Sequence, residues 1–258
     1  MIGEEPRIRA AIFDLDGTLV QTERLKAVSY ARAAMELCPY SINEEQVLGA
    51  YKEVVGLPRR DVASALVQRF GLEETAGARM DELGVDTVWQ AYVQVRLSYY
   101  EEMISDPEVV RENRWPHTVR LLEVARETGC STALATMSGR ERASQVLEAL
   151  DLSDAFDFVA TADDVERGKP HPEIYLLVCK ELGTGAEAAL AFEDSPSGVE
   201  AALAANLRCI AVTTPFTREK IHDQGLLPER WIVDDPERLP DLARELIEGR
   251  SASMGELD

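Results

Sequence analysis

The sequence contains few basic residues for its size. Its 258 residues include 27 Lys and Arg against 47 Asp and Glu, which gives a formal net charge of −20. Sequence-neutral nucleic-acid binding and docking on anionic membrane both need a basic surface. The charge balance therefore argues against a nucleic-acid or membrane partner, although it leaves room for a small ligand with a single anionic group.

Long apolar runs and paired cysteines are also missing. No apolar run approaches the roughly 18 residues of a membrane span, and Met1–Arg7 lacks the basic and apolar segments of a secretory signal. The four cysteines form no CxxC pair, which argues against a zinc site. These absences predict a cytoplasmic protein with reduced thiols. We expect it to be a monomer.

Short apolar runs of strand length alternate with helical segments over much of the chain. With 45% hydrophobic residues the chain can bury a core. Continuous apolar runs are typical of strands covered on both faces, and their alternation with helices predicts a parallel sheet. The predicted strands are Arg9–Phe13, Ser131–Ala135, Phe158–Thr161, Ala188–Phe192, Cys209–Val212 and Trp231–Val233. The predicted helices between and after them are Val119–Thr128, Arg140–Leu150, Pro172–Leu182, Ser197–Ala205 and Leu239–Glu248.

The segment after the first strand contains no comparable strand. Its periodicity predicts helices separated by proline and glycine breakers. The predicted helices are Glu23–Leu37, Asn43–Val55, Pro58–Phe70 and about Asp81–Ile104. We therefore predict an α/β core domain formed by residues 1–20 and 110–258, and an all-helical domain inserted at residues 21–109.

Two acidic pairs directly follow predicted strands. Asp14 and Asp16 lie on the same side of the extended chain after the first strand, because side chains alternate with a period of two. Glu193 and Asp194 follow the fourth run in the same way. Carboxylates at the carboxyl ends of neighbouring parallel strands would converge, and an all-oxygen cluster favours a hard divalent cation such as Mg²⁺. Alternatively, Asp16-Gly17 is a simple turn, and Asp194 or Ser195 is a helix cap.

Two further loops carry groups suited to an anionic ligand. Thr136 and Ser138 follow the second strand, where hydroxyls and the start of a helix favour phosphate. Lys169 precedes Pro170 in the loop after the third strand, and lysine is a point-charge phosphate binder. Taken alone, Thr136 and Ser138 also fit an ordinary helix cap, and Lys169 fits an exposed surface lysine.

The ordered set of a carboxylate pair, hydroxyls, a lysine and a second carboxylate pair resembles the haloacid dehalogenase superfamily. The resemblance spans the chain, with its sharp motifs in the α/β parts. It implies a Rossmann-like parallel-sheet core with an inserted helical cap, as in the branch of beta-phosphoglucomutase and phosphoglycolate phosphatase. It also implies Mg²⁺-dependent transfer of a phosphoryl group through an aspartyl-phosphate.

Individual roles follow from this resemblance. Asp14 matches the nucleophile, and Asp16 matches the general acid and base. Thr136, with Ser138 nearby, matches the hydroxyl that binds the phosphoryl group. Lys169 matches the lysine that neutralises it. The implied metal site comprises Asp14, Asp194, Glu193 and the main-chain carbonyl of Asp16.

The helical insert departs from the mutase pattern of the superfamily. That pattern has an aspartate at the position of Gln21 and a histidine at the position of Lys26. Lys26 could still orient a phosphate. Arg59 lies in a segment that resembles a phosphate-binding cap loop, and Arg96 falls near a substrate-facing basic position. Each of these three residues could equally belong to a solvated helix face.

The function predicted from these features is hydrolysis of a small phosphorylated metabolite, a sugar phosphate, by a Mg²⁺-dependent phosphatase. In members of the resembled superfamily that cleave carbon–halogen or carbon–phosphorus bonds, the aspartate at the position of Asp16 is replaced, so the resemblance implies phosphate-ester chemistry here. A sugar-phosphate mutase is the alternative on the same fold. A non-catalytic phospho-ligand binding protein is the alternative of another class. The helical cap is expected to close over the strand ends and to select the substrate.

Overall fold

The computed structural model describes residues 7–38, 40–55 and 57–248. The chain divides into two compact units. One contains the residues up to Gln21 together with those from Arg111 onward, and the other runs from Thr22 to Val110. Among the helices of the described residues, none is long and apolar enough to cross a membrane.

The first unit is built on a six-stranded parallel sheet. Its strands are β1 (Ala10–Phe13), β2 (Ser131–Ala135), β3 (Phe158–Ala160), β4 (Ala189–Glu193), β5 (Arg208–Val212) and β6 (Ile232–Val233). They are ordered β3-β2-β1-β4-β5-β6, with every neighbouring pair parallel. Each strand agrees with its predicted apolar run to within one residue at either end. The predicted parallel α/β fold is confirmed.

The central strands are buried on both faces and rich in alanine. Ala10, Ala133 and Ala191 are fully buried in the main core cluster, and such small side chains let flanking helices approach the sheet. At the carboxyl end of the sheet, the rings of Phe13 and Phe192 stack with their centroids 4.9 Å apart. This contact packs β1 against β4 immediately before Asp14, which follows β1, and Glu193, which ends β4.

Among its described residues, the second unit contains helices and no strand. They are α1 (Thr22–Leu37), α2 (Glu44–Val54), α3 (Arg59–Phe70), α4 (Glu73–Gly77), α5 (Met80–Leu83) and α6 (Val88–Ser105), and a further helix α7 (Pro107–Glu112) crosses into the first unit. The start of α2 is set by a capping box, in which the Asn43 side chain and the Gln46 amide bond reciprocally.

The prediction of one helix over Asp81–Ile104 is wrong. Gly84 adopts φ +63° and ends α5, and α6 begins four residues later at Val88. A left-handed glycine satisfies the last carbonyls of a helix and stops it. The short helix α4 is also not predicted, because it follows Gly71 and ends at Gly77, and both glycines indicate a break between helices.

The remaining helices flank the sheet. They are α8 (Pro116–Glu127), α9 (Arg140–Ala149), α10 (Glu173–Glu181), α11 (Pro196–Ala204), α12 (Arg218–Gln224) and α13 (Leu239–Glu248). Helix α8 begins three residues before the predicted start, because Pro116 occupies its first position, where a proline is tolerated. Helix α12 was not predicted, since only Ile221 of its residues is buried and the segment has no apolar periodicity.

Candidate active site

The carboxyl ends of three neighbouring strands carry most of the residues singled out from the sequence. Asp14 follows β1, Thr136 follows β2, and Glu193 ends β4 with Asp194 next. Because β1 lies between β2 and β4, Asp14 stands at the centre of this group. Its amide donates to the Phe192 carbonyl over 3.0 Å, which ties the first acidic pair to the strand that carries the second.

A sharp turn at Gly17 brings the loop after β1 against Asp194. Gly17 adopts φ +89°, and a Cβ placed on it would lie 2.0 Å from Asp194 Oδ2. Only glycine accepts both this backbone conformation and this approach. The glycine after Asp16 therefore does more than form a turn: it makes room for a carboxylate from another strand.

The Lys169 ammonium lies among the acidic residues. Its Nζ donates to Asp14 Oδ1 at 2.7 Å, to Glu193 Oε1 at 2.5 Å and to the Ala135 carbonyl at 2.8 Å. These three acceptors match the three protons of an ammonium group. The side chain is only 4% exposed, so the alternative of an exposed surface lysine is wrong.

Glu193 is fully buried and accepts hydrogen bonds at both carboxylate oxygens. Besides Lys169, the Tyr175 hydroxyl donates to Oε1 at 2.5 Å, and the Ser195 hydroxyl donates to Oε2 at 3.3 Å. A Cβ on Gly198 would lie 2.0 Å from the Glu193 carboxylate carbon. The cap of α11 is Ser195, which accepts from the Gly198 amide at 3.1 Å. Of the two caps considered from the sequence, the structure therefore has Ser195.

The two predicted hydroxyls both point at Asp16. Ser138 Oγ donates to Asp16 Oδ2 at 2.6 Å, and Thr136 Oγ1 lies 3.4 Å from the same oxygen. Thr136 Oγ1 also accepts from the Ser138 amide at 3.0 Å. The loop after β2 is therefore organised around the second aspartate of the Asp14–Asp16 pair.

Three buried acids form a group that could hold a metal ion. One carboxylate oxygen from each of Asp14, Glu193 and Asp194 lies within 4.8 Å of the other two. An all-oxygen donor set suits a hard divalent cation. The Asp16 carboxylate is not part of this group. The resemblance assigns the main-chain carbonyl of Asp16 to the metal, and that role stays a prediction.

Burial and the neighbouring charges perturb the acid–base equilibria of the site. Burial raises the pKa of Asp14 to about 7, with Lys169 opposing the rise and Glu193 and Asp16 adding to it. Burial alone would lower the pKa of Lys169, but the Asp14 and Glu193 carboxylates outweigh it and raise that pKa. The lysine is therefore charged. A further cation beside Asp14 would favour the ionised form of the Asp14 carboxyl group.

The three predicted cap residues all belong to the helical unit, Lys26 on α1, Arg59 on α3 and Arg96 on α6. Burial raises the pKa of Tyr30, and the charges of Arg96, Arg59 and Lys26 oppose the rise. Lys26 Nζ is 2.6 Å from Glu23 Oε1. Arg59 is exposed at the start of α3.

Arg96 is the unusual member of this trio. The residue is 6% exposed, and its Nε is buried without a hydrogen-bond partner among the described residues. Its guanidinium carbon lies 4.9 Å from the centroid of the Tyr30 ring and 4.6 Å from that of the Tyr100 ring. Burial lowers its pKa. The alternative of a solvated helix face is wrong for Arg96.

A family model described as haloacid dehalogenase-like hydrolase matches residues 11–212, more than half of the chain. The chain belongs to this family. A phosphorylated carbohydrates phosphatase of Thermotoga maritima is 30% identical over 203 residues, covering 79% of this chain and 84% of the relative.

Two further proteins similar to the haloacid dehalogenase-like chain carry the names of different activities. A phosphoglycolate phosphatase of Salmonella typhimurium is 33% identical over 214 residues, covering 80% of this chain and 81% of the relative. The crystal structure of a beta-phosphoglucomutase from Clostridium difficile superposes with a TM-score of 0.59 at 22% identity, covering 93% of this chain and 99% of that one. The last likeness shows the fold alone.

The predicted resemblance and the predicted class of enzyme, a haloacid dehalogenase-like phosphatase, are confirmed by these comparisons. Phosphatases of this family generally use a metal ion, and the group of Asp14, Glu193 and Asp194 is where this chain could hold one.

Sequence reasoning missed two residues of the haloacid dehalogenase-like site. Tyr175 contacts Glu193 from α10, but a tyrosine on the apolar face of a helix has the pattern of an ordinary core residue. Gly198 packs against the same carboxylate from α11, although its position in the sequence predicts only the start of a helix. No motif marks Tyr175, and the close approach of Gly198 to Glu193 depends on how α11 follows β4.

Proposed function

We propose that this protein is a Mg²⁺-dependent phosphatase that hydrolyses a small phosphorylated metabolite, a sugar phosphate, through an aspartyl-phosphate on Asp14. One observation carries the proposal. The Asp14 carboxylate lies 2.7 Å from a buried ammonium and within a cluster of acids that suits a divalent cation. A site built only to bind phosphate would not need a carboxylate at its centre, because that carboxylate repels the ligand.

In the first half of the proposed reaction, an Asp14 oxygen attacks phosphorus and the ester P–O bond breaks. The leaving oxygen takes its proton from Asp16, which the Ser138 hydroxyl holds at 2.6 Å. Lys169 neutralises the transferring group beside Asp14. This transfer depends mainly on positioning and charge neutralisation. The Lys169 ammonium supplies the positive charge, and the three hydrogen bonds that it donates hold it in place.

In the second half, the ionised Asp16 removes a proton from water, and the water oxygen attacks the phosphorus of the aspartyl-phosphate. The bond to Asp14 breaks, inorganic phosphate forms and Asp16 is protonated again. Asp14 and Asp194 would hold the metal, with the carbonyl of Asp16 as a further ligand. When bound, Mg²⁺ neutralises negative charge on the phosphoryl oxygens.

The proposed substrate class rests on the relatives and on the helical unit. Relatives at 30% and 33% identity act on phosphorylated carbohydrates and phosphoglycolate by their names. We assign substrate recognition to the helical unit Thr22–Val110, with Arg96, Arg59 and Lys26 as its cations. A desolvated guanidinium with an unpaired Nε strongly attracts an anionic group. The net charge of −20 disfavours an anionic substrate, and these cations would make the electrostatic potential around them locally positive.

The test measures release of inorganic phosphate from a panel of sugar phosphates with Mg²⁺. Wild type should release phosphate, and Asp14→Asn should release none. Arg96→Met should raise KM at least tenfold, whereas Arg69→Met, which removes an exposed ion pair with Glu53 in the same unit, should not. Isomerisation that needs a bisphosphate primer would indicate the mutase instead. Phosphate binding without turnover of any substrate would indicate a binding protein.

A further inference from the structure

Glu193 has a different environment from the other acids of the site. It is 0% exposed, and an isolated buried carboxylate is costly unless donors surround it. Lys169 and Tyr175 both donate to Oε1 at 2.5 Å, and Ser195 donates to Oε2 at 3.3 Å. Both oxygens are therefore engaged by side chains of this protein.

Tyr175 reaches Glu193 from α10 and is fully buried. A phenol has a single proton to donate, and Tyr175 directs it to Glu193. Its ring centroid also lies 5.2 Å from Lys169 Nζ, so the same side chain contacts the acid with its hydroxyl and faces the lysine with its ring. Buried charged hydrogen bonds of this kind fix side-chain orientation.

The contacts form a continuous chain from Tyr175 through Glu193 and Lys169 to Asp14. The Lys169 ammonium donates one hydrogen bond to Glu193, one to Asp14 and one to the Ala135 carbonyl. One of the three bonds that hold its ammonium therefore depends on Glu193 presenting Oε1 to it. The orientation of Glu193 thus helps to set where the positive charge beside Asp14 lies.

We propose that Tyr175 is a positioning residue of the active site, whose hydroxyl holds Glu193 as the counter-ion of Lys169 rather than as a metal ligand. This inference rests on the proposed phosphatase function. Asp194, directly after β4, then supplies the metal carboxylate, and it lies against the loop after β1 at Gly17.

The experiment compares Tyr175→Phe with Thr132→Val. The first variant removes the hydroxyl and keeps the ring. The second removes a buried hydroxyl that donates to the Ala155 carbonyl at 2.9 Å, near the opposite end of β2. Tyr175→Phe should lower kcat about tenfold and raise KM by a smaller factor, because the lysine interacts more strongly with the transferring group in the transition state than in the bound substrate. Thr132→Val should leave both constants unchanged.

Calorimetry supplies readouts that do not require turnover. Tyr175→Phe should bind Mg²⁺ within about twofold of wild type, whereas Asp194→Asn should lose Mg²⁺ binding. In the presence of Mg²⁺, inorganic phosphate should bind Tyr175→Phe more weakly than wild type, because the positive charge of Lys169 beside Asp14 is less well positioned.

Two results would overturn the inference. Equal kcat and equal phosphate affinity in Tyr175→Phe and wild type would show that the hydroxyl only stabilises the fold. A loss of Mg²⁺ affinity in Tyr175→Phe comparable with that of Asp194→Asn would make Glu193 a metal ligand. If wild type turns over no phosphate ester, the proposed function fails, while the Mg²⁺ and phosphate affinities still test the role of Tyr175.

Discussion

Replacing Gly17 by alanine tests whether the loop after β1 and Asp194 form one rigid site. An added Cβ would lie 2.0 Å from Asp194 Oδ2, 2.4 Å from Cγ and 2.9 Å from Oδ1. Ordinary contacts begin near 3.4 Å, so the carboxylate or the loop must move by about 1.4 Å. Asp194 is 2% exposed, and close packing leaves it little room to rotate away.

Two costs add in Gly17→Ala. The backbone at φ +89° costs a non-glycine residue about 1–2 kcal/mol, and overpacking costs typically another 1–3 kcal/mol. The effect on activity should exceed the effect on stability, because a misplacement of about 1 Å at a reacting centre can cost on the order of 10²-fold in rate. We expect kcat/KM to fall about 100-fold and Mg²⁺ affinity to fall with it.

Gly183→Ala is the matched control for backbone strain. Gly183 has φ +62°, and nothing lies within 4 Å of an added Cβ. It should lose about 1–2 kcal/mol of unfolding free energy in urea titrations and keep full activity. The reasoning is refuted if Gly17→Ala binds Mg²⁺ and releases phosphate as well as Gly183→Ala does, since the close approach to Asp194 would then carry no functional constraint.

Two further predictions concern other contacts. Hydrogen bonding to Asp234 raises the pKa of His222, burial opposes the rise, and Glu229 adds to it. His222 therefore contributes stability below its unfolded pKa of about 6.5, and this contribution is lost as pH rises through the raised folded pKa. In urea titrations, His222→Gln should be less stable than wild type near pH 5.5 and nearly as stable as wild type near pH 8.5. An equal difference in unfolding free energy at both pH values contradicts this prediction. In Gly168→Ala an added Cβ would meet only the end of the Met137 side chain, at 2.6 Å from Cε. Met137 is 40% exposed and can move aside, so the rate of phosphate release should change less than about threefold. A loss as large as that of Gly17→Ala would show that the loop of Lys169 moved instead.

The sheet and the acidic motifs were predictable because their signals are local. Continuous apolar runs marked all six strands, and the carboxyl-end rule for open α/β sheets placed Asp14 and Glu193 at one edge. Helix boundaries inside the Thr22–Val110 unit were less predictable. The break at Gly84 depends on a left-handed glycine, and a glycine in a helical pattern does not by itself show whether the helix continues.

The residues that orient the site could not be predicted from neighbours in the chain. Tyr175 and Glu193 are 18 residues apart, and Asp14 and Lys169 are 155 apart. The tyrosine has no motif of its own, and its sequence context is that of a core residue. Its contact appears only when α10 packs beside β3 and β2, from where the Tyr175 hydroxyl reaches Glu193 at the end of β4. Arg96 is similar, because the sequence shows a cation on a helix but not its burial between Tyr30 and Tyr100.

Hydrophobic periodicity and short motifs were enough to predict the parallel fold and to single out the acids, the hydroxyls and the lysine at the strand ends. The contacts among these groups follow from the three-dimensional arrangement alone. It directs the three protons of Lys169 to Asp14, Glu193 and Ala135, and it leaves room for Asp194 only beside a glycine. Hydrogen-bond geometry and steric exclusion act between atoms distant in the chain, and no local pattern encodes them.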